Sequence, residues 1–360
     1  MRIFELDPRK FETITPDITP PTYTPRFRTH IPTTQEDSIE VEKNDKSDYR
    51  IYTDGSGHDG KAGTAAVLYK KGAAHEQKSL QFHLGNLTRH TTYEAEVIGA
   101  ILATWLLHST PGSARSTVSI YSDNQAFIRS STRRATGPGR YLVDAFRSAT
   151  DNIKGPLKVN WISAHSEVQG NERADALAKQ AAQGQSSNAA DLPPLLCHPL
   201  PFSASAEKQA YTLEINTMWS EMWQSSPRRA RMDHIDKSFP FKNFRKIQYQ
   251  LTRAQSSLLL QLCSGHIPLN AHLYRLNCSN TDKCMACSEQ IGAPPAAETI
   301  THFLFHCPAY QNERHDLDNA LGPHRRDLES ILKSKKRTKD LLRYIGRTKR
   351  LKKLLGETNN

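Results

Sequence analysis

The sequence predicts an α/β fold, in which a mixed sheet of five strands carries flanking helices and a small helical module follows. Three observations predict it. Three short apolar runs, separated by Gly-rich turns, lie between residues 50 and 84. A segment with the length and apolar density of a helix follows at 91–108. After it, helical and strand-like patterns alternate up to residue 182.

The three runs, at 50–54, 63–69 and 78–84, are predicted to form antiparallel strands because each is short, apolar and bounded by turn residues. A helix between strands implies a crossover, so we expect the first and fourth strands to be parallel neighbours. Sites in such sheets lie beyond the carboxyl ends of the parallel strands. The later predicted elements are a strand at 116–123, helices at 124–135 and 139–153, a strand at 157–163 and a helix at 171–182.

The composition of the whole chain predicts five segments. Residues 1–47 are rich in Pro, Thr and acids without a sustained period, which predicts a mostly disordered arm. The sheet domain occupies 48–184, and the Ser-, Gln- and Pro-rich stretch after it predicts a linker at 185–204. A helical module is predicted at 205–324, and a basic tail at 325–360.

Within the helical module, residues 205–224 and 243–263 are predicted to be helices. The first carries Trp219 and Trp223, and the second carries a run of leucines at 258–260. Stripes of this kind usually face a core rather than a ligand, so we expect these side chains to be buried.

Composition also excludes several classes of protein. No run of about 18 or more apolar residues exists, so we expect no membrane span. The N-terminus lacks the basic-then-apolar pattern of a signal peptide. Six cysteines in 360 residues are too few for a disulfide framework, which favours a reducing compartment and makes clustered cysteines candidate metal ligands. We therefore expect a nuclear or cytoplasmic protein that is not secreted.

The net charge of +11 is concentrated near the C-terminus. Residues 325–353 hold 13 Lys and Arg against three acids, while residues 50–182 hold 16 basic and 11 acidic residues. This distribution indicates a polyanionic partner, most simply nucleic acid. The alternative is a Lys-rich helix that is merely solvated.

Acidic side chains from four distant parts of the sequence are expected to converge at one edge of the sheet. Asp54 ends the first strand, Asp123 ends the fourth, Glu94 and Glu96 begin the crossover helix, and Asp175 lies in the first turn of the last helix. Carboxylates a few ångströms apart stay ionised only when cations neutralise them. Oxygen ligands without Cys or His suit Mg²⁺ or Mn²⁺, and two such ions about 4 Å apart can promote phosphodiester hydrolysis.

Four stretches resemble the motifs of the type-1 ribonuclease H family: IYTDGSG, YEAEVIGAILA, IYSDNQAFI and WISAHSEVQGNERADALAK. The resemblance covers about residues 50–182. It implies the ribonuclease H-like fold, two bound Mg²⁺ or Mn²⁺ ions and cleavage of the RNA strand of RNA–DNA hybrids. Matched residue by residue, it assigns the catalytic acids to Asp54, Glu96, Asp123 and Asp175.

Helical geometry alone leaves the choice between Glu94 and Glu96 open, because each shares its face with core-compatible residues. The family pattern favours Glu96 and makes Glu94 a helix-start acid. His165 matches the family's mobile histidine, which assists proton movement and product release. The family usually carries glycines around this histidine, whereas this chain has Ala164 and Glu167, which puts rapid turnover in question.

The resemblance also implies contacts to the two strands of a hybrid. Only RNA has 2′-hydroxyls, and Asn124 and Ser56 are candidates to bind them. The candidates to bind phosphates of the DNA strand are Arg129, Arg133, Arg134 and Arg140.

The spacing of Cys284, Cys287, His302 and Cys307 is typical of a structural Zn²⁺ site. His306 is an alternative to His302, but it adjoins Cys307. The segment resembles the tail that follows ribonuclease H in non-LTR (LINE-type) retrotransposon polyproteins. This wider resemblance covers about residues 20–324 and implies that the chain corresponds to the C-terminal third of such a polyprotein.

The sequence thus predicts a metal-dependent endoribonuclease acting on RNA–DNA hybrids, with a basic tail that adds affinity for any nucleic acid. The alternative is a catalytically impaired, nucleic-acid-binding remnant of a retroelement, which the altered histidine loop favours. The protein partners are unknown from the sequence.

Overall fold

The computed structural model describes residues 6–16, 22–134, 136–164, 166–233, 236, 238, 241–291, 294, 296–322 and 328–352. The chain divides into two compact units, at the boundary between residues 214 and 215. Among the helices of the described part, none is long and apolar enough to cross a membrane.

The first unit is built on one mixed sheet of six strands. The strands are β1 (Phe27–His30), β2 (Tyr49–His58), β3 (Lys61–Lys70), β4 (Lys78–Asn86), β5 (Val118–Ser122) and β6 (Leu157–Trp161). Their spatial order is β1-β6-β5-β2-β3-β4, with β2, β3 and β4 antiparallel and the pairs β2–β5, β5–β6 and β6–β1 parallel. The parallel pairing predicted between the first strand and the strand after the crossover helix is confirmed by β2 and β5.

Among the described residues, the helices that accompany this sheet are α1 (Gln35–Lys43), α2 (Thr92–His108), α3 (Gln125–Thr132), α4 (Arg140–Thr150) and α5 (Gln169–Ala182). Helix α2 is predominantly apolar and contributes Ile98 to a core that also contains Ile51 and Phe146. Helix α5 contributes Leu177 to a second cluster with Tyr52. Because successive strand residues face opposite sides, Ile51 and Tyr52 lie in the two different clusters.

The predicted disordered arm is wrong for residues 27–43, which form β1 and α1. Strand β1 extends the sheet by pairing in parallel with β6, so the sheet has six strands and not five. Phe27 is buried, and its ring centroid lies 5.3 Å from that of Phe146. Helix α1 begins with a capping box between Thr34 and Asp37. A strand of four residues is too short to show a hydrophobic period, and its order depends on pairing with β6.

The predicted linker at 185–204 also packs against the first unit. It contains short 3₁₀ turns at Ala189–Asp191 and Pro194–Cys197. Leu192, Leu196 and Leu200 belong to the main core. The apolar residues spaced along this Pro-rich stretch hold it on the sheet domain, although its composition is that of a linker.

The described helices from residue 204 onward are α6 (Ala204–Gln224), α7 (Arg229–Asp233), α8 (Lys242–Gln248), α9 (Arg253–Ser264), α10 (Asn270–Arg275), α11 (Met285–Ile291), α12 (Gln311–Leu321), α13 (Leu328–Leu332) and α14 (Lys335–Thr348), with a π-helical turn at His302–His306. The predicted helix at 243–263 is two helices, because α9 begins anew with a capping box at Thr252. Leu258 and Leu259 are buried as expected, whereas Trp219 is 47% exposed.

The core of the second unit includes part of the predicted basic tail. Ile331, Leu332, Leu341 and Ile345 are fully or nearly fully buried. The Tyr344 hydroxyl donates a hydrogen bond of 2.7 Å to the Phe303 carbonyl. Residues 328–352 are therefore an amphipathic part of the folded unit and not a free tail.

Candidate active site

Asp54 and Asp123 lie side by side because of the strands that carry them. Strands β2 and β5 are parallel, and their last paired residues are Thr53 and Ser122. The two aspartates are the next residues along each strand. The Trp161 indole donates a hydrogen bond of 2.9 Å to the Asp123 carbonyl and so ties the end of β5 to β6.

Glu96 reaches the same edge from the first turns of α2. The helix can approach β2 closely because Gly55 has no side chain: a Cβ there would lie 2.6 Å from the Glu96 nitrogen and 2.9 Å from Glu96 Cγ. Glu94 serves a different purpose. Its carboxylate accepts hydrogen bonds from the Thr91 amide at 2.6 Å and the Thr91 hydroxyl at 3.0 Å, in a capping box. It is the helix-start acid that the motif comparison indicated.

Asp54, Glu96 and Asp123 form one carboxylate group, in which each residue offers an oxygen within 4.8 Å of the others. Asp54 is 8% exposed and Glu96 5% exposed. Glu96 Oε2 has no hydrogen-bond partner among the described residues. A buried oxygen without a donor indicates room for a cation or a water molecule.

Burial and mutual repulsion dominate the electrostatics of this carboxylate group. Burial raises the pKa of Asp54 to about 7, and the charges of Asp123 and Asp175 contribute to the rise. Burial, followed by the charges of Asp123 and Asp54, raises the pKa of Glu96 well above its ordinary value. An all-oxygen donor set with these properties fits hard divalent cations such as Mg²⁺ or Mn²⁺.

Asp175 is not part of that three-residue group. It lies on α5, partly buried, and its Oδ2 accepts a hydrogen bond of 2.6 Å from Lys179 Nζ, one helical turn further on. Its charge nevertheless contributes to the raised pKa of Asp54, after burial and the charge of Asp123. The structure brings three of the four predicted acids together and leaves the fourth paired with a lysine.

His165, the predicted mobile histidine, lies outside the described residues. On its loop, Glu167 adopts φ +57°, a left-handed conformation that glycine adopts more readily. The glycines that the motif comparison anticipates here would relieve that strain.

The proposed contacts to substrate are only partly available. The Asn124 side chain caps α3 by accepting a hydrogen bond of 2.9 Å from the Phe127 amide. Arg140 is structural rather than free for phosphate, because its side chain is 10% exposed and donates hydrogen bonds of 2.9 Å to Asp144 and to the Arg133 carbonyl. Arg129, Arg133 and Arg134 are exposed.

Sequence reasoning missed two residues that hold this site. Lys179 follows Asp175 by four residues, a spacing that pairs opposite charges on a helix and could have been read from the sequence. Trp161 supports Asp123 across the sheet, and no local pattern indicates that contact.

The second unit contains a cluster of Cys284, Cys287, His302 and Cys307, each offering an atom within 4.8 Å of the others. Cys287 Sγ lies 3.3 Å from His302 Nε2 and 3.4 Å from Cys307 Sγ. All four residues are buried and the cysteines are free thiols, whereas His306 is exposed. Three thiols and one imidazole this close are a donor set that fits Zn²⁺.

The π-helical turn His302–His306 orients two of these donors. The Cys307 amide donates a hydrogen bond of 2.7 Å to the His302 carbonyl, which closes the turn. Burial raises the pKa of Cys284, Cys287 and Cys307, so charged thiolates require a cation in this core.

Residues 46–183 match the RNase H family. No curated protein matches the chain. Among solved structures, the chain is similar to the N-terminal RNase H domain of a Mycobacterium tuberculosis protein, at 18% identity over 38% of this chain and 95% of that chain, with a TM-score of 0.33. It is similar to RNase H1 of Halobacterium salinarum, at 19% identity over 38% and 98%, with a TM-score of 0.32.

The chain is also similar to the prototype foamy virus protease-reverse transcriptase, at 18% identity over 39% of this chain and 21% of that chain, with a TM-score of 0.33. The family match covers strands β2 to β6 and the three residues of the carboxylate group, whereas β1 lies before it. Residues 46–183 therefore match the RNase H family and, with β1, have the ribonuclease H-like fold.

Proposed function

We propose that the chain is a metal-dependent endoribonuclease that hydrolyses the RNA strand of RNA–DNA hybrids. The observation that carries the proposal is the group of Asp54, Glu96 and Asp123 oxygens within 4.8 Å of one another, inside a ribonuclease H domain. Such a group has no structural purpose that we can identify, since its mutual repulsion opposes folding.

In this proposal Asp54, Glu96, Asp123 and Asp175 hold two Mg²⁺ or Mn²⁺ ions. Bound divalent cations supply positive charge that lowers the pKa of water and stabilises the leaving oxygen of a phosphodiester. Strands β2 and β5 and helix α2 keep three of the acids in place, because all three elements belong to the main core. His165 assists proton movement and product release, and recognition of 2′-hydroxyls selects the RNA strand.

The second unit contributes binding rather than catalysis. Cys284, Cys287, His302 and Cys307 hold a structural Zn²⁺ ion. The exposed lysines of α14, such as Lys336 and Lys339, bind phosphates of any nucleic acid without choosing sequence. A Cys-Cys-His-Cys cluster after a ribonuclease H domain supports derivation from a LINE-type retrotransposon.

The alternative function is that of a catalytically impaired remnant that binds nucleic acid without cleaving it. Two observations favour it: the left-handed backbone at Glu167, and the pairing of Asp175 with Lys179. Turnover decides between the two functions, because both predict binding.

The test uses purified protein, a labelled RNA–DNA hybrid and Mg²⁺. We expect wild-type protein to cleave the RNA strand, and Asp54→Asn and Asp123→Asn each to lower the rate by about 10³-fold or more while hybrid binding persists, because an amide keeps the shape but loses the charge. Asp151→Asn, at an acid outside the carboxylate group, is the control. A wild-type protein that binds hybrid and never cleaves it would establish the alternative, and cleavage by Asp54→Asn at the wild-type rate would refute the site.

A further inference from the structure

Asp175, the fourth acid of the proposed metal site, already pairs with a positively charged side chain of the protein, Lys179. Lys179 Nζ lies 2.6 Å from Asp175 Oδ2. The two residues are one turn apart on α5, so the helix itself sets this contact. Asp54, Glu96 and Asp123 meet within 4.8 Å, and Asp175 does not join them.

The ammonium of Lys179 is in direct contact with the carboxylate of Asp175. It therefore occupies the position in which a cation bound by that carboxylate would be favoured.

Resting on the proposed function, we propose that Lys179 is a positioning residue that holds Asp175 away from the carboxylate group until a divalent cation displaces it. The ion that binds at Asp175 must compete with this ammonium. Lys179 therefore weakens binding of the second ion, and it leaves binding at Asp54, Glu96 and Asp123 nearly unchanged.

The size of the effect follows from the exposure of the pair. The Lys179 side chain is 51% exposed and that of Asp175 is 25% exposed. Half-exposed pairs of this kind are weak, so we expect the second dissociation constant to change by about two- to five-fold. The effect should diminish at high ionic strength, because salt screens an exposed pair.

The experiment measures Mn²⁺ binding to the full chain, without nucleic acid, by calorimetry and by electron paramagnetic resonance of the bound ion. Lys179→Met removes the ammonium, and Lys179→Arg keeps a cation at the same place. The matched control is Arg173→Met on the same helix, which removes the same charge but pairs with Glu76, at 2.7 Å, outside the site.

We expect Lys179→Met to tighten the weaker Mn²⁺ site by about two- to five-fold, and Lys179→Arg and Arg173→Met to leave it unchanged. In an Asp175→Asn background, Lys179→Met should have no further effect, because the two residues act as a pair. Equal affinity for wild type and Lys179→Met, or equal tightening by Arg173→Met, would overturn the inference.

The two proposals fail in different ways. If wild-type protein binds Mn²⁺ in a manner that Asp54→Asn abolishes, and Lys179→Met changes nothing, only the role of Lys179 is refuted. If wild-type protein binds no Mn²⁺ that depends on Asp54, the metal site fails and the role of Lys179 fails with it.

Discussion

The two units of this chain hold their clusters of polar side chains in opposite ways. In the first unit, Asp54, Glu96 and Asp123 lie at the edge of a sheet whose apolar core is complete without them. In the second unit, Cys284, Cys287 and Cys307 are themselves members of the apolar core. The comparison teaches that the carboxylate group is carried by a scaffold whose apolar core does not include it, whereas the thiol cluster is part of the scaffold's core.

The units also differ in charge. Residues 1–214 contain 24 basic and 24 acidic residues, while residues 215–360 contain 24 basic and 13 acidic residues. The whole net charge of +11 thus belongs to the second unit. In our proposal the neutral unit carries the chemistry and the basic unit carries the affinity for nucleic acid.

The largest expected effect concerns the thiol cluster. Cys284→Ser combined with Cys287→Ser should unfold the second unit, because a structural Zn²⁺ site contributes about 10 kcal/mol to folding. The first unit should stay folded, and hybrid cleavage should persist. The measurements are zinc analysis, circular dichroism and limited proteolysis.

Cys278→Ser is the control for this change, because Cys278 is exposed and lies outside the cluster. Two outcomes would contradict the prediction that a bound Zn²⁺ ion stabilises the second unit. One is protein that contains no zinc when purified without chelator, and the other is a double variant that resists proteolysis like wild type.

A smaller effect is expected when the buried face and the basic face of α14 are altered by separate substitutions. Leu341 is fully buried, so Leu341→Ala should lower the unfolding free energy of the second unit by about 2–5 kcal/mol. Lys336→Gln with Lys339→Gln should leave stability unchanged and reduce the salt dependence of nucleic-acid binding by up to about two units of log–log slope. Thermal unfolding and binding at several salt concentrations measure the two outcomes.

The two α14 variants control each other, since one changes packing and the other charge. An unchanged salt slope in the lysine variant would mean that the basic face of α14 is only a solvated surface. An unchanged unfolding temperature for Leu341→Ala would mean that residues 328–352 do not belong to the folded unit.

The smallest effect is a pH dependence confined to the first unit in Mg²⁺-free buffer. The pKa of Asp54 is raised from 3.8 to about 7 in the folded protein. Between these values the folded state holds a proton that the unfolded state does not, so the unfolding free energy falls as pH rises and the loss is complete above pH 7. We expect a fall of the order of a few kcal/mol in calorimetric unfolding of the first unit, with Asp54 and Glu96 titrating as a coupled pair.

Added Mg²⁺ should reverse this loss above pH 7, and Asp54→Asn should flatten the pH profile. If the unfolding free energy of the first unit instead rises between pH 5 and 8 without Mg²⁺, burial and repulsion do not destabilise the charged carboxylate group. The proposed contrast with the thiol cluster would then be wrong.

Much of the first unit could be predicted because its signals are local. An aspartate at a strand end, a glycine after it and an acid in the first turns of an apolar helix are each visible within a few residues. The arm at 27–43 and the stretch at 185–204 could not be predicted in this way. Their order comes from pairing with β6 and from burial of Leu192 and Leu196, which depend on surfaces assembled elsewhere in the chain.

The sequence by itself determined which side chains could meet: carboxylates that directly follow the paired residues of two parallel strands, and thiols and an imidazole at the spacing of a metal site. Helical periodicity left Glu94 and Glu96 open and the family pattern favoured Glu96; the tertiary structure shows Glu94 capping α2 and Glu96 joining Asp54 and Asp123. The pairing of Lys179 with Asp175 could be read from their spacing on one helix, but only the tertiary structure brought the charge of Asp175 to bear on Asp54. The physical reason is that residue type sets the chemistry a side chain can perform, while the direction and partner of a charged group depend on the field of neighbours brought in from distant segments.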